Sequence, residues 1–499
     1  MRVVNIMNFV RAVEPRAVID LMEPVVEEIK LNKKYGFENT FLLQYDTMLS
    51  EEFVNLFKKE KDEKMELGIW IEMAKPLVEK IGVEWRGRKD WTWDYHVNPG
   101  FLPAYTKEQK EKIIDEIMHK FKSLFGYYPK TAGSWVLDSY SVDYMTEKYK
   151  LDAFCICREQ WGTDGYTFWG GYYNGPYFPS KNNILHPAQT NEMQIKSPVI
   201  RILGPDPIYC YHERFKETYN KMKYTLYTLE PTWQCGQSEE WVEWYFRNFT
   251  ENENLGYSYV QTGQENPFGW KNIKKGLPMQ LELISTLEKQ GKIKVEKVCD
   301  TGRRFKETYN ETPPTAYSAL DDWANMGNKS VWYNCKNYRI NIFNDDELVA
   351  IRDIHKFDEN YVDQYLENPC KEAVCIYDAL PVIDAVRFSD EKVKSGIYFG
   401  RGCIEKIEKQ NQNDLAVYIN ADDKKIRLLL SEEQILVESD CDFAAEVKYG
   451  SEASDAIDIN ENQIKFIHNG MKYRMVLQTG KFVGSKMVSD CGKILIKLD

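Results

Sequence analysis

The first 300 residues alternate short apolar runs with longer segments in which apolar side chains recur every three or four positions. Eight short runs have the length and composition of buried strands, at residues 3–9, 40–46, 66–72, 130–136, 152–157, 199–203, 225–230 and 256–261. Helical periodicity fills many of the intervals, for example at 16–34, 107–124 and 237–253. Strands that alternate with helices form parallel sheets, and seven or eight of them favour a closed or nearly closed barrel. The predicted fold class is therefore α/β, with a distorted (β/α)7–8 barrel.

The pattern changes in the second part of the chain. Residues 301–394 are mixed and contain the boundary signal TPP at 312–314. From residue 395 onward, short segments such as KIRLLL, QIKFIH and KILIKL alternate apolar and polar side chains, which predicts an antiparallel β-sandwich. We expect a catalytic barrel at 1–300, a mixed connecting region packed on the barrel at 301–394, and a β-sandwich domain at 395–499.

Charge and composition narrow the class of protein. The chain has 65 basic and 77 acidic residues, a net charge of −12, which argues against nucleic acid or an anionic membrane as the main partner. No run of 18 apolar residues occurs, and the first residues lack the apolar core of an export signal. The eleven cysteines include no CxxC pair, which is typical of reduced thiols. We expect a cytoplasmic protein. The heptapeptide RFKETYN, present at 214–220 and 304–310, has no explanation in the sequence.

Acidic residues follow the predicted strands at the end where a parallel barrel carries its active site. Glu72, Asp138, Glu230 and Glu265 stand at or just after four strands, and loops add Asp94, His96, Asp164 and Asp206. Trp or Tyr residues lie close to many of these acids. Glycoside hydrolysis needs two carboxyl groups, one as acid and one as nucleophile or base, and flat apolar faces bind sugar rings. The residues therefore predict a site for an oligosaccharide substrate.

The stretch EQWGTDGYTFWGGYYNGPYFPS, residues 159–180, contains eight aromatic residues and no regular periodicity. It follows a predicted barrel strand, so we expect an ordered loop over the mouth of the barrel. Asp164, Tyr166 and Trp169 are expected to face the substrate, and Trp270 is expected to add a further sugar-stacking ring. Trp161 is also expected to stack on a sugar ring, whereas Tyr172, Tyr173, Tyr177 and Phe178 are expected to pack within the loop or to form an interface in a homo-oligomer.

Three other interpretations compete with this one. An acid after a strand often caps the next helix instead of reacting. A zinc-dependent carbohydrate deacetylase would use His96 or His212 with Asp94 or Asp206, although no HxH or HxxxH pair is present. A glycan-binding protein without catalytic activity would use the aromatic loop and the β-domain. The sequence contains no P-loop and no GxSxG motif, so neither phosphate binding nor a serine nucleophile is indicated.

Two segments resemble the motifs of family-57-type glycoside hydrolases. GSWVLDSYSVDYMTEKYKLDAFCI, residues 133–156, is similar to the segment that carries the family's nucleophile, and Asp138 falls on that position. QTGQENPFGW, residues 261–270, looks like the segment around the acid/base, with Glu265 as the nearest acid. NFVRAVEPR lies where that family carries an H-x-H-x-P motif, but both histidines are missing and Asn8 and Arg11 lie nearby instead.

A broader resemblance links the chain to an uncharacterised bacterial branch of the glycoside hydrolase/deacetylase superfamily. It includes RILGPDPIYCY, WYNCKNYRINIF and ALPVIDAV. The resemblance implies a distorted barrel followed by a β-domain. It also implies a retaining glycosidase, acting on an α-linked oligosaccharide without a cofactor or metal, in which Asp138 attacks and Glu265 protonates. Glu230 is a substitute candidate for either role. A retaining mechanism predicts about 5–5.5 Å between the two carboxyl groups.

Overall fold

The computed structural model describes residues 2–210, 226–345, 347–453 and 457–499. In the first part of the chain the strands are β1 (Arg2–Val10), β2 (Asn39–Leu43), β3 (Met65–Trp70), β4 (Thr131–Gly133), β5 (Ala153–Cys157), β6 (Gln160–Thr163), β7 (Tyr166–Trp169), β8 (Gly175–Tyr177), β9 (Val199–Ile202), β10 (Ser258–Thr262) and β11 (Lys294–Glu296). The helices are α1 (Met22–Tyr35), α2 (Glu51–Glu60), α3 (Lys75–Lys80), α4 (Val97–Gly100), α5 (Lys107–Phe125), α6 (Ser139–Tyr149), α7 (Glu239–Glu251), α8 (Trp270–Ile273), α9 (Gly276–Lys289) and α10 (Val298–Thr308).

Seven parallel strands form a nearly closed, barrel-like sheet in the order β10-β1-β2-β3-β4-β5-β9. The short β8 adds antiparallel to β9, and the Asn174 side chain of the preceding turn donates a hydrogen bond to the carbonyl of Tyr259 in β10, at 3.0 Å. Residues 226–230 form no strand, and only an isolated bridge joins Thr228 to Pro205. The predicted strand at 225–230 is therefore reduced to one bridge at the point where the barrel closes.

Local sequence signals explain several helix boundaries. The predicted helix at 107–124 is confirmed as α5, and it begins with a capping box in which the Thr106 hydroxyl accepts from the Gln109 amide and the Gln109 side chain accepts from the Thr106 amide. The helix predicted at 16–34 begins only at Met22, where the Asp20 carboxylate accepts from the first amides. The residues before Asp20 form no helix, and the amides of Ala12 and Val13 instead donate to the Asp46 carboxylate after β2.

The second part of the chain forms a large antiparallel sheet. Its strands and the short connecting strands are β12 (Thr315–Ala319), β13 (Lys329–Asn334), β14 (Tyr338–Asp345), β15 (Leu348–Lys356), β16 (Cys375–Asp378), β17 (Leu380–Asp384), β18 (Gly396–Lys409), β19 (Leu415–Ala421), β20 (Lys424–Leu430), β21 (Ile435–Ser439), β22 (Ala444–Lys448), β23 (Ile457–Ile459), β24 (Gln463–His468), β25 (Met471–Thr479), β26 (Lys481–Val483), β27 (Lys486–Val488) and β28 (Lys493–Leu498). Hydrogen bonds connect these strands from β12 to β28, with β16 as the exception. Because β15 pairs with β18, one sheet includes strands from both 301–394 and 395–499.

The aromatic stretch at 159–180 is not an irregular loop. It contains β6 and β7, which form a hairpin, and β16 from the second part of the chain pairs in parallel with β7. The hairpin is thus the centre of a small sheet that joins both parts of the protein. In the part of the chain that the structure describes, no helix is long and apolar enough to cross a membrane. The second RFKETYN segment begins within α10, whereas the first lies outside the described residues.

A buried arginine joins the antiparallel sheet to the barrel. Arg339 in β14 is fully buried, and its guanidinium donates two parallel hydrogen bonds to Asp353 in β15 at 2.9 and 2.8 Å. The same group forms an ion pair with Glu159 at 2.8 Å and donates to the Gly171 carbonyl at 3.1 Å. Glu159 follows β5 directly, so one side chain connects two strands of the sheet to the end of a barrel strand.

We expect Arg339→Met to lower the free energy of unfolding by about 3–5 kcal/mol, because it leaves two buried carboxylates without their cation. Urea denaturation followed by tryptophan fluorescence measures the change. Arg401→Met is the matched control, since Arg401 is 79% exposed and its ion pair with Glu347 lies in water. Equal effects of the two substitutions would contradict the role assigned to Arg339.

Candidate active site at the barrel mouth

The ends of β1 and β10 are held together at the mouth of the barrel. Asn266 accepts from the Arg11 amide at 2.9 Å and donates to the Arg11 carbonyl at 2.8 Å. Gly263 follows β10 with a φ of 114°, and a side chain there would collide with the carbonyl oxygen of Met7. This close approach brings Arg11 and Glu265 together, and the Arg11 guanidinium donates a buried hydrogen bond to the Glu265 carboxyl group.

Glu265 is the carboxyl group with the most unusual electrostatic environment at the mouth. Burial raises its pKa to about 8; Arg11 opposes this shift, while Glu72, Glu230 and Asp164 add to it. The group therefore carries a proton at neutral pH although it lies beside an arginine. About 10% of its side chain remains exposed, so the carboxyl group keeps access to the mouth. A buried carboxyl group with this pKa can act as a general acid.

Glu72 adds a negative charge that acts on both Arg11 and Glu265. Its carboxylate is fully buried and accepts hydrogen bonds from the indoles of Trp70, at 2.7 Å, and Trp93. The Arg11 guanidinium lies over the Trp93 ring at 4.0 Å. Both carboxylate oxygens of Glu72 are thus held by donors, which favours an electrostatic role for this residue over direct contact with a sugar.

Glu230 also lies near Glu265, and its charge adds to the rise in the pKa of that residue. It is 7% exposed, and the Gln264 side chain donates to its carboxylate at 3.2 Å. Gln264 itself is held in place because its backbone N–H donates to the Asn8 side-chain oxygen at 2.9 Å. The neighbouring residues 264 and 265 therefore place two acids, Glu230 and Glu265, in one cluster at the barrel mouth.

Asp164 lies in the turn between β6 and β7, near this cluster. It is exposed and has a φ of 46°, as a tight turn requires. Its charge acts on both Glu265 and Arg16. The structure thus brings together four of the predicted site residues, namely Glu72, Asp164, Glu230 and Glu265.

Asp138 has a different environment. It is fully buried and caps α6, accepting from the amide and the hydroxyl of Ser141 at 3.0 and 2.8 Å. The buried Lys110 of α5 forms an ion pair with the same carboxylate at 3.1 Å. These contacts favour a structural role, as in the helix-cap interpretation of a strand-end acid. Its assignment as the nucleophile stays a prediction.

Asp94 and His96 form a pair near the mouth. Asp94 accepts from His96 Nδ1 at 2.9 Å, and it also accepts from the Arg88 amide and guanidinium at 3.1 and 3.0 Å. No group of three His, Cys, Asp or Glu side chains that could hold a metal ion is found among the described residues. His212, the other histidine considered for zinc, lies outside the described residues.

Most of the remaining predicted residues, namely Asp206, Tyr166 and Trp169, are buried and pack inside the fold. Asp206 is fully buried and accepts four hydrogen bonds, from the amides of Ile208 and Tyr209 and the indoles of Trp241 and Trp323. Tyr166 is buried, and the buried Trp169 donates from its indole to Asp384 at 2.9 Å. Trp270 is only partly buried. Among these residues only the Trp270 ring retains a partly exposed face for a sugar.

Two residues of the site were missed as candidates. Asp46 accepts from the amides of Ala12 and Val13 at 2.9 and 2.8 Å, and burial raises its pKa to about 6. Asp46 ends the strand-like run TFLLQYD. The criterion used for the other acids, a position at the end of a predicted strand, would therefore have found it. Arg11 stands in a segment singled out for its missing histidines, but only the folded structure shows that its charge meets Glu265.

Comparisons with known proteins support the fold and leave the family open. No protein-family model matches the chain, and no curated protein matches it. A solved structure from Parabacteroides distasonis, of a protein proposed to be a glycoside hydrolase/deacetylase, matches 76% of this chain and 89% of its own. The TM-score is 0.54 at 14% identity, so the likeness shows a shared fold. YidC from Thermotoga maritima matches 34% of the chain with a TM-score of 0.21, which is too low to support an argument.

We expect Asp138→Asn to destabilise the protein, because the amide cannot neutralise the buried Lys110 and removing one partner of such a pair costs about 3–5 kcal/mol. Thermal unfolding by circular dichroism measures this loss. A catalytic nucleophile at this position would give the opposite result, with unchanged stability and no turnover.

Proposed function

We propose that the protein is a carbohydrate-active hydrolase, and specifically a glycoside hydrolase whose general acid is Glu265. The observation that carries this proposal is the pKa of Glu265, which burial raises to about 8 at the mouth of a barrel. A carboxylic acid that keeps its proton at neutral pH can donate it to the glycosidic oxygen as the bond breaks. The fold shared with the Parabacteroides protein, itself proposed to be a glycoside hydrolase/deacetylase, supports the same class.

Glu230 is the better partner for this acid. It lies beside Gln264 in the same cluster and its charge adds to the rise in the pKa of Glu265, whereas Asp138 caps α6 and pairs with Lys110. In a retaining reaction, Glu230 attacks the anomeric carbon while Glu265 protonates the departing oxygen. Glu265 then removes a proton from the water that cleaves the glycosyl ester. An inverting enzyme would instead use Glu230 to activate the water directly.

Arg11 tunes the acid in this scheme. Its positive charge lowers the pKa of Glu265, and the negative charges of Glu72 and Glu230 oppose it. Once Glu265 has given up its proton, the same arginine stabilises the carboxylate until water returns a proton. The α-linked oligosaccharide remains the proposed substrate, and the partly exposed Trp270 is the candidate ring to stack on it.

A metal-dependent deacetylase is the second candidate, and the contact between Asp94 and His96 at 2.9 Å favours it. Arg88 donates to the same carboxylate, so a metal ion there would have to displace a cation. Measuring zinc in the purified protein by plasma mass spectrometry, and activity after dialysis against a chelator, separates the two candidates. Stoichiometric zinc with chelator-sensitive release of acetate would replace glycosidase with deacetylase.

We expect Glu265→Gln to lower kcat on aryl glycosides by about 10²–10⁴-fold, because glutamine cannot donate a proton to the leaving oxygen. Glu230→Gln should cause a comparable loss. Circular dichroism checks that both variants fold, and a panel of aryl glycosides and α-linked disaccharides supplies the substrates.

The leaving group distinguishes the two roles. Substrates with a good leaving group, such as 2,4-dinitrophenyl glycosides, should restore the glycosylation step of Glu265→Gln but not of Glu230→Gln. Full activity of either variant would refute the assigned pair. A wild-type protein that binds oligosaccharides and hydrolyses none would be a glycan-binding protein.

The pH dependence of kcat/KM should show a fall above about pH 8, where Glu265 loses its proton. Arg11→Met removes a charge that lowers this pKa, so its alkaline limb should move to higher pH. Arg16→Met is the comparison, since Arg16 is partly exposed and is paired with Glu14, and it should move the limb less. An alkaline limb that Arg11→Met leaves in place would show that Glu265 is not the titrating acid.

A further inference from the structure

Two aromatic side chains follow the proposed catalytic acids at the same interval. Trp233 stands three residues after Glu230, and its amide donates to the Glu230 carbonyl at 3.2 Å. Phe268 stands three residues after Glu265, and its amide donates in the same way to the Glu265 carbonyl at 3.4 Å. Because the first and fourth residues of such a turn lie within about 7 Å of each other, one aromatic residue is held beside each acid.

The rings of Trp233 and Phe268 contact each other. Their centroids are 5.8 Å apart and their planes are inclined by 77°, which is a favourable edge-to-face arrangement. The turn after Glu230 and the turn after Glu265 therefore meet, and the two rings form one aromatic corner next to the pair of acids.

Hydrogen bonds fix the two turns relative to each other. The Gln237 side chain donates to the Thr232 carbonyl at 2.8 Å and to the Asn272 carbonyl at 2.9 Å. The Asn272 side chain in turn donates to the Phe268 carbonyl at 2.8 Å. The aromatic corner is therefore held in place by the backbone of both turns before any ligand binds, which lowers the entropic cost of binding.

The two rings have different surroundings. Phe268 packs against the buried hydrophobic cluster that α7 and α9 form, and Trp233 is not part of that cluster. Both side chains remain partly exposed. Phe268 therefore connects the corner to the core, while Trp233 is the ring that is held from the side and presented to solvent.

The Trp233 side chain keeps binding capacity that the fold does not use. Among the described residues its indole N–H has no hydrogen-bond partner, and no cation lies over its ring. A pyranose ring has apolar C–H groups on its faces and hydroxyl groups at its edge. A partly exposed indole offers the matching surfaces, namely an apolar face and a donor beside it. The missing cation favours a neutral sugar over an acidic one.

We propose that Trp233 is the platform of a sugar-binding subsite next to the catalytic pair, and that Phe268 supports it from the core. The ligand is a neutral pyranose ring of the oligosaccharide, stacked on the indole, with one hydroxyl accepting from Trp233 Nε1. The inference rests on the proposed function for the role of Glu230 and Glu265, but it is tested by binding without turnover.

Chemical protection tests the contact on the Glu265→Gln protein. Limiting N-bromosuccinimide oxidises accessible indoles, and maltotriose and isomaltotriose are the probes, with glycerol as a polyol control. Trypsin separates Trp233, in residues 224–247, from Trp270, in residues 248–271, so mass spectrometry reads each indole. We expect either trisaccharide to protect Trp233 and glycerol not to do so. Oxidation of Trp233 that neither trisaccharide slows, or protection of Trp270 alone, would overturn the proposal.

Substitution tests the same contact by affinity, measured by isothermal titration with the protecting trisaccharide. Trp233→Leu should weaken binding about tenfold, which corresponds to about 1.4 kcal/mol. Trp233→Phe keeps a smaller aromatic face and should lose only about threefold. Trp85→Leu is the matched control, because Trp85 is also partly buried but its indole already donates to the Arg88 carbonyl at 3.3 Å. Equal losses in Trp233→Leu and Trp85→Leu would contradict the subsite, and thermal unfolding checks that each variant folds.

The subsite and the hydrolase fail in different ways. If the trisaccharides protect Trp233 and the wild-type protein hydrolyses no glycoside, the subsite stands and the hydrolase proposal fails. If the wild-type protein hydrolyses α-linked disaccharides, Trp233→Leu should raise KM about tenfold with little change in kcat, because stacking binds substrate and transition state alike. An unchanged KM together with unprotected Trp233 would leave the hydrolase standing and refute the subsite.

Discussion

The buried guanidinium of Arg339 holds the protein together at the place where its two parts meet. It binds Asp353 within the antiparallel sheet and Glu159 at the end of a barrel strand, both at 2.8 Å. Leaving a charge buried this deeply without its carboxylates is costly, so this ion pair favours one arrangement of the sheet against the barrel. That arrangement also orients the aromatic hairpin, because β16 from the second part of the chain pairs with β7. The mouth of the barrel is therefore shaped by residues more than 150 positions away in the sequence.

Burial also decides the chemistry at the mouth. Glu265, Glu72 and Glu230 share a space in which three ionised carboxylates would repel one another at low dielectric, and one arginine cannot neutralise them all. Burial raises the pKa of Glu265, the neighbouring carboxylates add to the rise, and this residue keeps a proton that a solvent-exposed glutamate would lose. Glu72 stays deep below the pair because two indoles saturate its oxygens. The same physical rule, that a buried charge requires a partner, accounts for the fixed position of Asp138, whose carboxylate is held by Lys110 and Ser141.

The sequence pattern was a good guide to the barrel and a partial guide to the site. Seven of the eight predicted strands are present because buried parallel strands are continuous apolar runs, which are visible in the sequence. The run at 225–230 has the same appearance, but its described residues form only one bridge. The position of acids at strand ends brought Glu72, Glu230 and Glu265 together, yet it selected Asp138 equally, whose carboxylate caps α6 and pairs with Lys110. Helix caps and reactive acids both follow strands, so position in the sequence does not distinguish them.

The sequence by itself determined the order of strands and helices, the change to alternating strands in the second part, and the set of acids at the strand ends. These follow from local periodicity, which each segment carries independently of the others. Only the tertiary structure decided that β6 and β7 form a hairpin sheet with β16, that Arg11 meets Glu265, and that Lys110 meets Asp138. Such pairings depend on how segments distant in the sequence pack, and the pKa of a carboxyl group depends on the charges and the burial that this packing creates.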